Sequence, residues 1–130
     1  MPAYGGGMEI FMNTKEIGEK GETAAAEYLE DNGYEILKRN YRLRGGEIDI
    51  IALSPEDVCV FAEVKTRRST EYGLACEAVD RRKREKIIKT AMTYQTDGDA
   101  RFDVIEVYYG DDFVVKKINH IPNAFDAEGF

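Results

Sequence analysis

The chain has few of the residues that build closed metal centres and disulfide frameworks. Its 130 residues include two cysteines, Cys59 and Cys76, and one histidine, His120. The cysteines lack C-x-x-C spacing, which argues against a zinc site or a redox pair. They read as small core residues of a reduced protein, so a cytoplasmic location is expected. No apolar run approaches the roughly 20 residues needed to cross a bilayer, and no membrane association is expected. Residues 1–12 have no basic stretch followed by an apolar one, so they do not read as a secretory signal. Gly5-Gly6-Gly7 instead suggests a flexible leader over 1–12. No internal repeat or low-complexity linker divides the rest, which reads as a single domain over 13–130.

The formal net charge of −7, taken as a whole, argues against a nucleic-acid partner. It is unevenly spread, however. Residues 36–94 hold 13 Lys/Arg and 9 Asp/Glu, a local balance of +4, while the remaining residues carry −11. Affinity for phosphates follows the local field, so a basic middle between acidic ends can still bind a polyanion. A solvated charged surface has the same composition.

Hydrophobic spacing gives the element order. Thr14 to Asn32 reads as a helix capped by Asn13 or Thr14, with Ile17, Ala24, Ala25, Tyr28 and Leu29 on its buried stripe and Asn32-Gly33 as its stop. Tyr34 to Arg44 looks extended. Ile48 to Leu53 is a second strand after the Gly45-Gly46 turn. Val58 to Lys65 is a third, apolar on both faces until its end, as in the middle of a sheet. Thr66 to Tyr72 reads as a polar, basic loop, and Leu74 to Val79 as a short helical turn. Asp80 can cap a helix running to about Gln95, with Ile87, Ile88, Ala91 and Met92 on its apolar side. After a loop over Thr96 to Ala100, Phe102 to Tyr109 and Phe113 to Ile118 read as strands. The order is an α/β pattern: helix, three strands, helix, two strands, with the helices packed on a sheet.

Side chains alternate along strands. Glu63 and Lys65 therefore share one face of the third strand, and Glu47 and Asp49 one face of the second. If those strands are neighbours, Asp49 and Glu63 converge at adjacent strand ends. Two carboxylates can hold Mg²⁺, a hard cation that prefers oxygen. Such a metal activates water and offsets charge on a phosphate. Lys65 can orient or deprotonate the attacking water, or stabilise the transition state. Glu63-Val64-Lys65 is the only acid-x-lysine triplet among nine lysines, and it lies at the polar end of the most apolar strand. A salt bridge at the sheet rim fits the same residues, and Glu47 equally fits a turn residue after Gly46.

Gly45-Gly46-Glu47-Ile48-Asp49-Ile50-Ile51-Ala52, followed by Phe61-Ala62-Glu63-Val64-Lys65-Thr66-Arg67, resembles the YraN-type family of bacterial proteins. These are predicted endonucleases of the restriction-endonuclease-like superfamily, whose motif is P-D-x(n)-(D/E)-x-K. Gly18, Gly21-Glu22, Ala25, Tyr28-Leu29, Gly33-Tyr34 and Asn40-Tyr41-Arg42 resemble the family's first half. Arg101-Phe102-Asp103-Val104 and His120-Ile121-Pro122-Asn123-Ala124-Phe125 resemble its second, so the likeness covers about residues 14–125. The resemblance implies a restriction-endonuclease-like core of αβββαβ order, with a central mixed sheet of about five strands. It makes Asp49 the motif aspartate, Glu63 the motif acid and Lys65 the motif lysine. Glu22 matches a helical glutamate that archaeal Holliday-junction resolvases use as a further metal ligand, and a solvated helix residue is its plain alternative. Ile48 stands where the motif's proline would be, a departure common in the superfamily. The implied cofactor is Mg²⁺ or Mn²⁺, held by Asp49, Glu63 and Glu22, with Glu47 as an accessory.

Arg42 and Arg44, then Arg67 and Arg68, then Arg81, Arg82, Lys83 and Lys86 are the expected nucleic-acid contacts. Positive charge at a helix start opposes the macrodipole, a cost easier to understand where phosphate binds. Lys83 and Tyr94 lie within possible reach of substrate. His120 is expected to pack or cap, and Asp103 to pair with an arginine. The functional reading is a metal-dependent endonuclease acting on nucleic acid, DNA favoured over RNA, with branched DNA as one candidate substrate and a homodimer allowed by analogy with the resolvases. The alternative is a non-catalytic nucleic-acid-binding or partner-binding module that retains the nuclease fold.

Overall fold

Asn13 starts the first helix, α1 (Thr14–Asp31). Its side chain accepts from the Glu16 N–H at 2.8 Å while Glu16 reaches back to the Asn13 N–H, a reciprocal capping box. The computed structural model describes residues 13–73, 79–94 and 98–127. The expected leader, Cys76, the body of the helical turn from Leu74 and the opening of the loop at Thr96 lie outside the described residues. Five strands follow α1 in one sheet: β1 (Glu35–Leu43), β2 (Gly46–Leu53), β3 (Cys59–Arg68), β4 (Ala100–Tyr109) and β5 (Val115–Phe125), arranged in chain order. All neighbours are antiparallel except β3 and β4. A parallel pair cannot be joined by a hairpin, and α2 (Arg81–Ala91) lies in the crossover between them. Among the described residues no helix is long and apolar enough to cross a membrane.

Each helix closes one face of the sheet. Ala25, Ala26 and Leu29 of α1 pack on Ile50, Ala52, Val60, Ala62, Ile105 and Val107. Ile87, Ile88 and Ala91 of α2 pack on Ile51, Phe61, Phe102, Val104 and Phe125 on the other face, with the buried thiol of Cys59. β3 lies between β2 and β4, and its first five residues are buried, which explains its unbroken apolar run.

Several boundaries differ from the sequence reading. β3 continues through Arg68, because its parallel ladder with β4 runs to Arg68↔Tyr109, so only a 3₁₀ turn at Ser69–Glu71 remains of the expected basic loop. β2 starts at Gly46, paired with Leu43. α2 stops at Ala91, and Met92 is 80% exposed rather than part of the apolar side. β5 begins at Val115 and extends past Ile118 to Phe125, which pairs with Phe102.

The extension of β5 is held by a buried polar network. Asp103 is fully buried and accepts from Arg101 at 2.9 Å (Nε) and 3.1 Å (Nη2), His120 Nε2 at 2.7 Å and the Asn123 N–H at 2.9 Å. With Nε2–H donating, His120 Nδ1 is left to accept from the Tyr28 hydroxyl at 3.0 Å, and Arg101 donates to the Tyr34 hydroxyl at 2.8 Å. Burial alone would raise the pKa of Asp103, but the hydrogen bonds from His120, Arg101 and Asn123 hold it below its ordinary value. The network fastens α1, β4 and β5 together, which gives Asp103 and His120 a structural place.

Candidate active site

The site begins where two strands part. β2 and β3 are paired from Leu53↔Cys59 to Ile50↔Ala62. At the next position a side chain takes over from the ladder, and Asp49 Oδ2 accepts the Val64 N–H at 2.8 Å. Asp49 (9% exposed) and Glu63 (8% exposed) are thus brought to the same opening while largely screened from water.

Two further carboxylates approach Asp49. Glu22 comes from α1, and Glu47 from the start of β2. Oxygen atoms of Glu22, Glu47 and Asp49 all lie within 4.8 Å of one another. Burial, followed by repulsion from Glu63, outweighs the Val64 hydrogen bond and pushes the Asp49 carboxyl up to about 8, with Glu22 and Glu47 adding to the rise. Glu22 is also raised, first by burial and then by Glu47, against the opposing pull of Arg39, Asn40 and Asp49. Asn40 sits at φ 53, in the left-handed region that asparagine tolerates, and its side chain hydrogen-bonds Glu22. The three side chains of the cluster offer carboxylate oxygens, with Arg39 and Arg42 at its edge. That donor set fits a hard divalent cation such as Mg²⁺ or Mn²⁺.

The opposite side of the opening is supplied by α2. Asp80 caps this helix, accepting from the Lys83 N–H at 2.9 Å. One helical turn of basic residues follows, and the Lys83 ammonium reaches Glu63 Oε1 at 2.9 Å. Burial would lower the pKa of Lys83, but Glu63 by hydrogen bond and charge, with Asp49 and Asp80 by charge, raises it. Lys83 and Lys86 line a cleft of about 260 Å³ with Glu47, Asp49 and Glu63. A second groove of about 620 Å³ leads from Glu22 past Arg39 and Arg42 to Lys15.

Two glycines let the helices come this close. A side chain on Gly21 would collide with Thr66 of β3, and one on Gly46 with Thr90 and the Lys86 carbonyl of α2. Each glycine immediately precedes an acid of the cluster, Glu22 or Glu47. Close backbone approach is what glycine permits at these positions.

The residues expected from sequence thus divide. Glu22 and Asp49 come together with Glu47, which belongs to the carboxylate cluster rather than to a turn, while Glu63 lines the neighbouring cleft with Asp49 and Glu47. Lys65 is half-buried on β3, two residues beyond Glu63 and paired in register with Glu106. Of the expected phosphate contacts, Lys83 and Lys86 face the cleft. Arg42 is bound to Glu47 at 3.0 Å, Arg67 lies 3.5 Å from buried Glu106, and Arg68 pairs with Asp111 at 2.8 Å. Arg44, Arg81 and Arg82 are exposed. Tyr94 packs edge-on against Tyr41 and Phe61 in the α2 core, away from the carboxylates. Of the groups that act on Glu22, Arg39 was not singled out by pattern, and Asn40 entered only through the family resemblance and without a role. Their alternation along β1 resembles any exposed strand.

A mixed α/β sheet with an aspartate and an E-x-K at adjoining strand ends, and a glutamate added from the first helix, defines a restriction-endonuclease-like core. The model of "Uncharacterised protein family UPF0102" matches residues 21–107, a span that contains Glu22, Asp49, Glu63 and Lys65. A UPF0102 protein of Clostridioides difficile is 49% identical over 119 residues, covering 88% of this chain and 100% of the relative. One from Caldanaerobacter subterraneus is 46% identical over 120 residues, covering 88% and 98%. One from Trichlorobacter lovleyi is 45% identical over 131 residues, covering 97% and 98%. The chain belongs to the UPF0102 family.

Proposed function

We propose that this protein is a metal-dependent nuclease that hydrolyses phosphodiester bonds, with DNA as its polymer. One observation carries the reading: Asp49 and Glu63 meet where β2 and β3 part, and Glu22 and Glu47 close on Asp49 within 4.8 Å. A structural core has little use for four carboxylates crowded at one strand end, since each raises the cost of ionising the next. Asp49, Glu63 and Glu22 would hold Mg²⁺ or Mn²⁺, with Glu47 as an accessory. A bound divalent ion would supply Lewis-acid activation of water and of the phosphate. Lys65, on the same face of β3 as Glu63, would orient the attacking water or take its proton, and would offset charge developing on the phosphate. Lys83, Lys86, Arg42, Arg44, Arg67, Arg68, Arg81 and Arg82 would hold the backbone around the scissile bond. Such contacts fix position and carry no base sequence. A branched duplex, gripped by a symmetric dimer of a chain this small, is the substrate we favour.

The test is a cleavage panel of linear, flapped, branched and single-stranded DNA and RNA with Mg²⁺ or Mn²⁺. Metal-dependent cutting of a DNA substrate is expected. Binding of the same substrates with no cutting under any metal would replace this reading with that of a binding module.

A further inference from the structure

The ammonium of Lys83 stands 2.9 Å from Glu63 Oε1, in a cleft that also contains Asp49. Glu63 is nearly buried at the wall of the cleft, whereas the Lys83 side chain is 52% exposed, so the lysine has the readier route to solvent. A divalent ion held by Asp49 and Glu63 would share the Glu63 carboxylate with the Lys83 ammonium, and two cations so close would repel each other. Metal and Lys83 would therefore compete for Glu63.

We infer that Lys83 is the resident counter-cation of Glu63, displaced when a divalent metal enters between Asp49 and Glu63 and thereby released toward a nucleic-acid phosphate. This rests on the nuclease reading of the same site, and assigns Lys83 a positioning role that Lys86, one turn further along α2, does not share. Lys83 reaches Glu63 because Gly46 lets α2 lie against β2. The released lysine has a four-carbon stem and an open cleft in front of it. Metal loading thus converts a group that neutralises the empty site into one that binds substrate, and the binding of phosphate is coupled to that of metal.

The experiment measures Mn²⁺ affinity directly, by the free-ion electron paramagnetic resonance signal, on the full chain without nucleic acid. Variants are Lys83→Met, Lys83→Arg and the control Lys89→Met, whose ammonium pairs with Glu85 elsewhere on α2. Giving up a half-exposed ion pair sets the scale, so Lys83→Met should bind Mn²⁺ about two- to fivefold more tightly than wild type. Lys83→Arg should bind no more tightly than wild type, and Lys89→Met should match it. Unchanged or weaker binding by Lys83→Met overturns the inference, as does an equal gain in Lys89→Met, which would mark a general field effect. The two readings fail separately. Tighter Mn²⁺ binding by Lys83→Met without cleavage of any substrate supports the displacement and removes the nuclease. Cleavage by wild type with Mn²⁺ affinity indifferent to Lys83 does the reverse.

Discussion

Asp49 Oδ2 accepts the backbone N–H of Val64 at 2.8 Å, so Asp49 is tied to the residue between Glu63 and Lys65. This one bond fixes the spacing of Asp49, Glu63 and Lys65 across two strands. It also lets the β2–β3 ladder end without leaving the Val64 N–H unsatisfied.

The crowding around Asp49 gives a pH dependence with a definite sign. Its carboxyl is raised from an ordinary 3.8 to about 8 in the folded, metal-free protein, by burial and then by Glu63. Between those values the folded state keeps a proton that the unfolded state has lost. Stability of the metal-free protein should therefore fall as pH rises from about 4 to about 8. Asp49→Asn, which can still accept from Val64, should flatten this slope and melt higher than wild type at pH 8 in EDTA. A variant that melts lower than wild type at that pH would refute the account of Asp49.

The Asp103 network makes the opposite kind of prediction. Asp103 is held low in pKa by His120, Arg101 and the Asn123 N–H despite its burial, so its contribution is present at neutral pH and is lost as pH falls through its folded pKa. Asp103→Ala strands Arg101 and His120 and should cost about 3 kcal/mol, the scale for breaking a buried charged network. Urea denaturation measures it. A loss under about 1 kcal/mol, the scale of an exposed pair, would show that the network is dispensable.

Gly21 and Gly46 are expected to act at a distance from the chemistry. Gly21→Ala pushes α1 off Thr66, and Gly46→Ala pushes α2 off Thr90. Each should cost about 1–3 kcal/mol in stability, the usual range for overpacking. Gly21→Ala should also weaken Mn²⁺ binding, because Glu22 is the next residue along the chain. Wild-type Mn²⁺ affinity in that variant would mean that the approach of α1 does not set the geometry of the site.

Most of the frame was legible in the sequence because local signals agreed. Asn13 and Asp80 cap the helices they were expected to cap, and the apolar run before Glu63 is a buried strand. The αβββαβ order followed, with β5 beyond it. What escaped depends on tertiary contacts. Glu47 resembled a turn residue because it follows Gly46, yet β2 already starts there. Lys83 is one of four consecutive basic residues, and only the phase of α2 against β2 separates it from its neighbours. The second half of β5 has broken alternation. Pro122 is tolerated because β5 is an edge strand, and Asn123, at φ 53, turns its N–H to Asp103 rather than to a neighbouring strand.

The most direct measurement compares single-turnover cleavage by wild type and Lys65→Ala on a branched DNA substrate with Mg²⁺, alongside binding of the same DNA with Ca²⁺ in place of Mg²⁺. Loss of about 10²- to 10⁴-fold in rate is expected, the range for removing a positioned acid–base group, with DNA binding changed little. Equal rates in the two proteins, or no cleavage by wild type beside intact binding, would contradict a nuclease built on Asp49, Glu63 and Lys65.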